Sequence, residues 1–111
     1  MSFKNMVISG GVNVCPAEIE AESMRHDRIR DCAVFGIPDE EFGEALCAVV
    51  EPVDGNRPEP DLVHAFLRER RTGHKVPRLI EIVERLPRDD SAKVFKHKLR
   101  EPYRRDAERN I

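Results

Sequence analysis

Apolar positions along this chain fall in short runs, each bounded by turn-forming or charged residues. Met6-Val7-Ile8 is a short strand, Ser9-Gly10-Gly11 a turn, and Val12 and Val14 alternate across Asn13. Glycine accepts backbone angles that other residues resist, so the opening predicts a small β-hairpin. Cys32 to Ile37 (C-A-V-F-G-I) and Ala45 to Val53 (A-L-C-A-V-V-E-P-V) are unbroken apolar runs of strand length, and Leu79 to Val83 is a third. Pro38-Asp39 turns the chain between the first two, and Glu40 to Glu44 is a polar connection pinned by Phe42. Pro52 has no amide to give a ladder and marks the end or edge of its strand.

Helical spacing fills the gaps. Pro16 suits a first helical turn, and Glu18, Glu20 and Glu22 follow it near the positive end of the helix dipole. Ile19 and Met24 are the inward positions, the acidic run is a solvated face, and the helix fades near His26 or Asp27. Asp61 to Arg71 is a second helix, with Asp61 as N-cap and Leu62, Val63, Phe66 and Leu67 as one stripe. Arg68, Arg70 and Arg71 gather where positive charge suits the dipole, and Gly73 ends the helix. Val94 to Glu101 is a short third helix with Val94, Phe95 and Leu99 inward. Pro102 should break or kink it, and Arg104 to Ile111 should fray. The order predicts one α+β domain over residues 1–111: a small N-terminal β-hairpin, then a mainly three-stranded sheet covered by helices.

Composition narrows the function. With 111 residues and 40% hydrophobic content the chain can bury one modest core. No apolar run approaches the roughly 18 residues of a membrane span, and no signal segment opens the chain. Three cysteines (Cys15, Cys32, Cys47) are an odd count without a C-x-x-C pair, which fits a reducing cytoplasm. The four histidines show no zinc-ligand spacing, so no metal site is expected. Neither G-x-G-x-x-G nor a G-K-[ST] phosphate loop is present. The net charge of −2 is uneven: residues 1–55 hold four Lys/Arg against eleven Asp/Glu, and residues 56–111 hold fifteen against ten. The basic half could face a phosphorylated molecule, or simply form mixed solvated surface. The few aromatic residues sit on apolar faces rather than among arginines, so no nucleic-acid partner is expected.

The candidate chemistry lies in Leu86 to Leu99, L-P-R-D-D-S-A-K-V-F-K-H-K-L. Lys93 sits in a small-residue turn after an apolar run and before a basic helix. In a chain with 36% charged residues a lysine is ordinarily a solvated surface group. This placement would also let it carry a mobile positive charge to an anion held elsewhere. Gly10-Gly11 is similarly either an ordinary turn or a close approach of backbone to a ligand.

Three stretches in order carry a resemblance: M-V-I-S-G-G-V-N-V-C-P-A-E-I-E, A-V-F-G-I-P-D-E-E-F-G-E-A-L-C-A-V-V, and G-H-K-V-P-R followed by L-P-R-D-D-S-A-K-V-F-K-H-K-L-R. Over nearly its whole length the chain resembles the C-terminal lid domain of the acyl-adenylate-forming enzymes, which include acyl-CoA synthetases, peptide-synthetase adenylation domains and luciferases. The resemblance implies an ATP-dependent carboxylic acid–CoA ligase of fatty-acid or aryl-acid type. ATP and coenzyme A would be its substrates, with Mg2+ in a large N-terminal domain that this chain lacks. Lys93 stands at the family's adenylation lysine. An ammonium between the carboxylate and the α-phosphate would offset their repulsion, a contact worth on the order of 3–4 kcal/mol. Gly10 and Gly11 match the glycine pair beside the pantetheine tunnel, Lys4 the hinge, and Lys75 the G-H-K-V-P motif, with a CoA-phosphate contact or a structural loop role. The hinge would swing the domain between an adenylating and a thiolating pose.

Departures accompany the match. Ala92 fills the place of the family's usual glycine before the lysine, which restricts the turn. Ser2 falls where the ribose-contacting arginine would be, and Asn5 replaces a common aspartate. Met1-Ser2 fits the start of a domain cut from a larger ligase, and such a fragment would be inert alone and bind no cofactor. Two other readings are a peptide-synthetase subdomain and a free-standing module that binds CoA or a pantetheine carrier.

Overall fold

A computed structural model describes residues 7–9, 12–39, 43–70, 76–94 and 96–109. The order is β1 (Val7–Ser9), β2 (Val12–Val14), α1 (Pro16–Ser23), β3 (Ile29–Asp39), β4 (Gly43–Pro52), α2 (Pro60–Arg70), β5 (Leu79–Ile82) and α3 (Lys96–Arg109). The predicted hairpin is present: β1 and β2 pair antiparallel, with Val7 opposite Val14 and Ser9 opposite Val12. The predicted three-stranded sheet follows in the order β3-β4-β5. β3 and β4 form a long antiparallel ribbon, and β5 runs parallel to β4 with Cys47 opposite Leu79 and Val50 opposite Ile82. A parallel neighbour cannot be reached by a tight turn, and α2 supplies the crossover.

The unbroken apolar runs are explained by burial on both faces. Successive strand residues point to opposite sides. Cys32, Val34, Leu46, Ala48, Val50 and Ile80 pack with Ile19 of α1 and Val63 and Leu67 of α2. Ala33, Phe35, Cys47 and Val49 face the other way, against Leu86 and the half-buried Val94, Leu99 and Tyr103. The sheet is thus sandwiched between two helices on one side and α3 with its preceding loop on the other.

Polar contacts close the sandwich where strands run out. β3 is an edge strand, and Glu20 of α1 caps it: its Oε2 accepts from the Val34 amide at 2.8 Å and from Lys96 Nζ at 2.8 Å. Glu20 therefore turns inward, whereas the sequence predicted a solvated acidic face. Glu22 meets Arg70 Nε at 3.3 Å and ties α1 to α2. Arg70 also stacks 3.8 Å above the Phe66 ring, so it covers apolar surface as well as carrying charge.

Other expectations change in detail. Met24 is 45% exposed and Leu62 40%, so neither is inward. α1 ends at Ser23, before the turn of the helix that would have buried Met24. α2 starts at Pro60, which leaves Asp61 inside the first turn rather than at the N-cap. Pro38 and Asp39 do not turn the chain; they continue β3, opposite Glu44 and Gly43. β4 does end at Pro52. Pro102 lies inside α3, which runs on to Arg109. Pro102 and Lys98, whose carbonyl it would have bonded, are both exposed, while Leu99 and Tyr103 are held on the sheet. Packing on one side carries the helix past a proline that faces water. The expectations for Phe42, Gly73 and Phe95 lie outside the described residues.

Candidate functional site

The segment from Leu86 to Val94 leaves the sheet, turns and returns to start α3. Its two ends are anchored differently. Leu86 is buried in the second core, and its amide donates to Glu51 Oε1 at 2.8 Å. Arg88 and Val94 then form an isolated antiparallel bridge. Between them, Asp89 to Lys93 is a five-residue loop closed by the Asp89 amide donating to the Lys93 carbonyl at 2.8 Å.

The Asp89 side chain organises that loop. Its Oδ1 accepts from the Ser91 hydroxyl at 2.6 Å, the Ser91 amide at 2.8 Å and the Lys93 amide at 3.2 Å. An aspartate that gathers nearby amides in this way replaces the ladder contacts a tight turn gives up. The Ser91 hydroxyl, then the Ser91 and Lys93 amides and the Lys93 charge, hold its carboxyl below the ordinary value of 3.8. The Ala92 amide donates to the Asp89 carbonyl at 2.9 Å. Ala92 itself sits at φ +66°, in the left-handed region that favours glycine. The chain therefore takes the conformation a glycine would permit and carries it on an alanine, at a cost of about 1–2 kcal/mol.

Lys93 is exposed at the end of this loop. Among the described residues no hydrogen bond or ion pair holds its ammonium. Its backbone, by contrast, is fixed at both the amide and the carbonyl. The arrangement is a cation that no described residue hydrogen-bonds or ion-pairs, on a fixed base, able to reach an anion brought to it.

A second feature was not anticipated from sequence. Arg88 Nη2 lies 2.7 Å from Asp31 Oδ2 and 3.7 Å from Glu51 Oε1, and its Nη1 donates to the Ala92 carbonyl at 3.4 Å. Asp31 and Glu51 are direct partners across β3 and β4. The available signal was Glu51 itself: an acid one alternation beyond Val49, on a face that is otherwise apolar.

The remaining predicted site residues, Lys4, Gly10, Gly11 and Lys75, lie outside the described residues. The two arms that flank Gly10-Gly11 are paired as a hairpin. The cysteines are free. Burial pushes the thiols of Cys32 and Cys47 up to about 12, so both act as small apolar residues. Among the described residues no three His, Cys, Asp or Glu side chains gather as a metal site, and no helix is long and apolar enough to cross a membrane.

Comparison with known proteins identifies the family and the fold. The family model for the AMP-binding enzyme C-terminal domain matches residues 18–93. A feruloyl-CoA synthase from Amycolatopsis is 45% identical over 98 residues, which is 88% of this chain and 20% of that protein. A 3-[(3aS,4S,7aS)-7a-methyl-1,5-dioxo-octahydro-1H-inden-4-yl]propanoyl:CoA ligase from Rhodococcus jostii is 47% identical over 99 residues, 89% of this chain and 19% of that protein. Among solved structures, apo MatB from Rhodopseudomonas palustris superposes with a TM-score of 0.86 at 37% identity, covering 92% of this chain and 20% of that one. A Mycobacterium tuberculosis fatty acyl CoA synthetase gives 0.83 at 34% identity, covering 93% and 20%. The chain thus spans about a fifth of the length of these relatives. By sequence and by fold, it belongs to the AMP-binding enzyme C-terminal domain family.

Proposed function

We propose that this chain is the mobile lid domain of an ATP-dependent carboxylic acid–CoA ligase, and that Lys93 is its adenylation lysine. The observation that carries the reading is the Lys93 loop, whose backbone is pinned by Asp89 while the exposed ammonium has no hydrogen bond or ion pair among the described residues. In the first half-reaction a carboxylate oxygen attacks the α-phosphorus of ATP and pyrophosphate leaves. Both reactants are anionic. A compact ammonium between them offsets repulsion and stabilises charge developing on the phosphoryl oxygens. In the second half-reaction the thiol of CoA takes the acyl group and AMP leaves.

In this proposal a large domain supplies the ATP, Mg2+ and acid sites, as the fivefold greater length of the relatives suggests. Lys4 is the hinge, Gly10 and Gly11 border the pantetheine tunnel, and Lys75 contacts the CoA phosphates. The isolated chain would be inert, because Lys93 would have no substrate to meet. Names of relatives that act on feruloyl, fatty acyl and ring-fused propanoyl acids favour a CoA ligase over a peptide-synthetase subdomain. Three free cysteines fit a cytoplasmic enzyme.

The test is Lys93→Ala in the complete ligase, assayed for acid-dependent ATP–pyrophosphate exchange and separately for thioester formation from supplied acyl-adenylate. Exchange should fall roughly 10²–10³-fold, the range for loss of one transition-state donor, while thioester formation survives. Exchange at the wild-type rate would return Lys93 to the surface lysines.

A further inference from the structure

The loop that presents Lys93 has little apolar anchorage of its own. Every residue from Arg88 to Lys93 is exposed, so the loop cannot be held by burial. What joins its middle to the sheet is Arg88. We infer that Arg88 is a positioning residue for Lys93: its guanidinium, seated on Asp31 and Glu51, fixes the turn from which that lysine projects. The inference rests on the reading of Lys93 as the adenylation lysine.

Three observations carry it. First, Asp31 and Glu51 face each other across neighbouring strands, and Glu51 is only 6% exposed. Like charges directly opposite in a sheet are unfavourable, and a half-buried acid pair asks for a cation between its members. Arg88 Nη2 is that cation, at 2.7 Å and 3.7 Å. Second, the other arm of the same guanidinium reaches the Ala92 carbonyl at 3.4 Å. Ala92 is the residue before Lys93 and the one in the left-handed conformation. A planar fork can hold the sheet and the strained turn at once. Third, Glu51 also accepts the Leu86 amide, so the start of the segment and its turn share one carboxylate. Sheet, Arg88 and loop therefore form a continuous polar chain ending one peptide from Lys93.

A misplacement of about 1 Å can cost a reaction 10²-fold when charge must meet a defined point. The test uses Arg88→Gln and Asp31→Asn, alone and combined, beside Lys93→Ala in the complete ligase. Arg88→Gln should lower the acid-dependent exchange rate about 10- to 100-fold and leave thioester formation from supplied acyl-adenylate unchanged. Asp31→Asn should fall in the same direction, and the double variant should be no worse than Arg88→Gln, because both remove one link. In the 111-residue chain, hydrogen exchange at the Ala92 and Lys93 amides should quicken in Arg88→Gln while the Val34 amide stays protected.

Normal exchange activity in Arg88→Gln with a strong defect in Lys93→Ala would leave the lysine assignment standing and overturn the positioning role. Equal loss of both half-reactions would also overturn it, as general damage to the fold. Unchanged loop protection would do the same. A Lys93→Ala enzyme with wild-type exchange would remove the reading and this inference together.

Discussion

The two faces of the sheet are held in different ways. Against α1 and α2 lies a closed apolar cluster in which Ile19, Val34, Val50, Val63 and Leu67 are wholly buried. Each such side chain contributes roughly 1.5–3 kcal/mol by leaving water, without directional demands. On the opposite face apolar packing stops at Leu86 and resumes at Val94. The stretch between is held by Asp89, Arg88 and the acids under it. Burial gives strength but would also sequester a lysine. Hydrogen bonds to the backbone give position and leave the side chain in water. A presenting loop needs the second kind of support, and it is built on a sheet stabilised by the first.

The largest effect that would sharpen this contrast comes from the apolar face. Leu67→Ala should destabilise the chain by about 3–5 kcal/mol, the transfer term plus an unfilled cavity, read from its denaturant midpoint. A loss under about 1 kcal/mol would mean that this face is looser than its burial indicates. The loop should respond in the opposite sense to Ala92→Gly. That change relieves the left-handed strain but adds unfolded-state freedom, and the balance favours glycine by about 0.5–1 kcal/mol. A destabilised Ala92→Gly variant would show that the alanine stiffens the loop more than it strains it.

The smallest effect is in acid. The Asp89 carboxyl is held below 3.8 in the folded loop, chiefly by the Ser91 hydroxyl. A depressed carboxyl contributes order that is present above its unfolded value and lost as pH falls through the folded one. The Ser91 and Lys93 amide resonances should therefore shift with a midpoint below the ordinary 3.8, while those of buried β4 residues stay fixed. Asp89→Asn should keep the loop and abolish that titration. Movement of these amides near neutral pH would assign the loop's order to some other group.

These contrasts match what could be read in advance. Strand runs such as C-A-V-F-G-I and A-L-C-A-V-V were legible because burial on both faces makes a strand apolar throughout. Lys93 was legible as a candidate only, from its place between small residues and a basic helix together with the family resemblance. Arg88 was not, because its partners lie 57 and 37 positions away and belong to strands whose register no local pattern states. Pro102 misled for a related reason: local chemistry ends a helix there, and packing of Leu99 and Tyr103 on the sheet carries it on.

By itself the sequence determined the element types, the three-stranded core, the hairpin and the candidate lysine, since each follows from residues close together in the chain. Tertiary structure alone decided that Asp31 and Glu51 stand opposite each other, that Arg88 lies across them, and that Ala92 takes a glycine's conformation. Strand register, and with it the seat of Arg88, is settled by the sum of distant contacts, and no single stretch of the chain contains that sum.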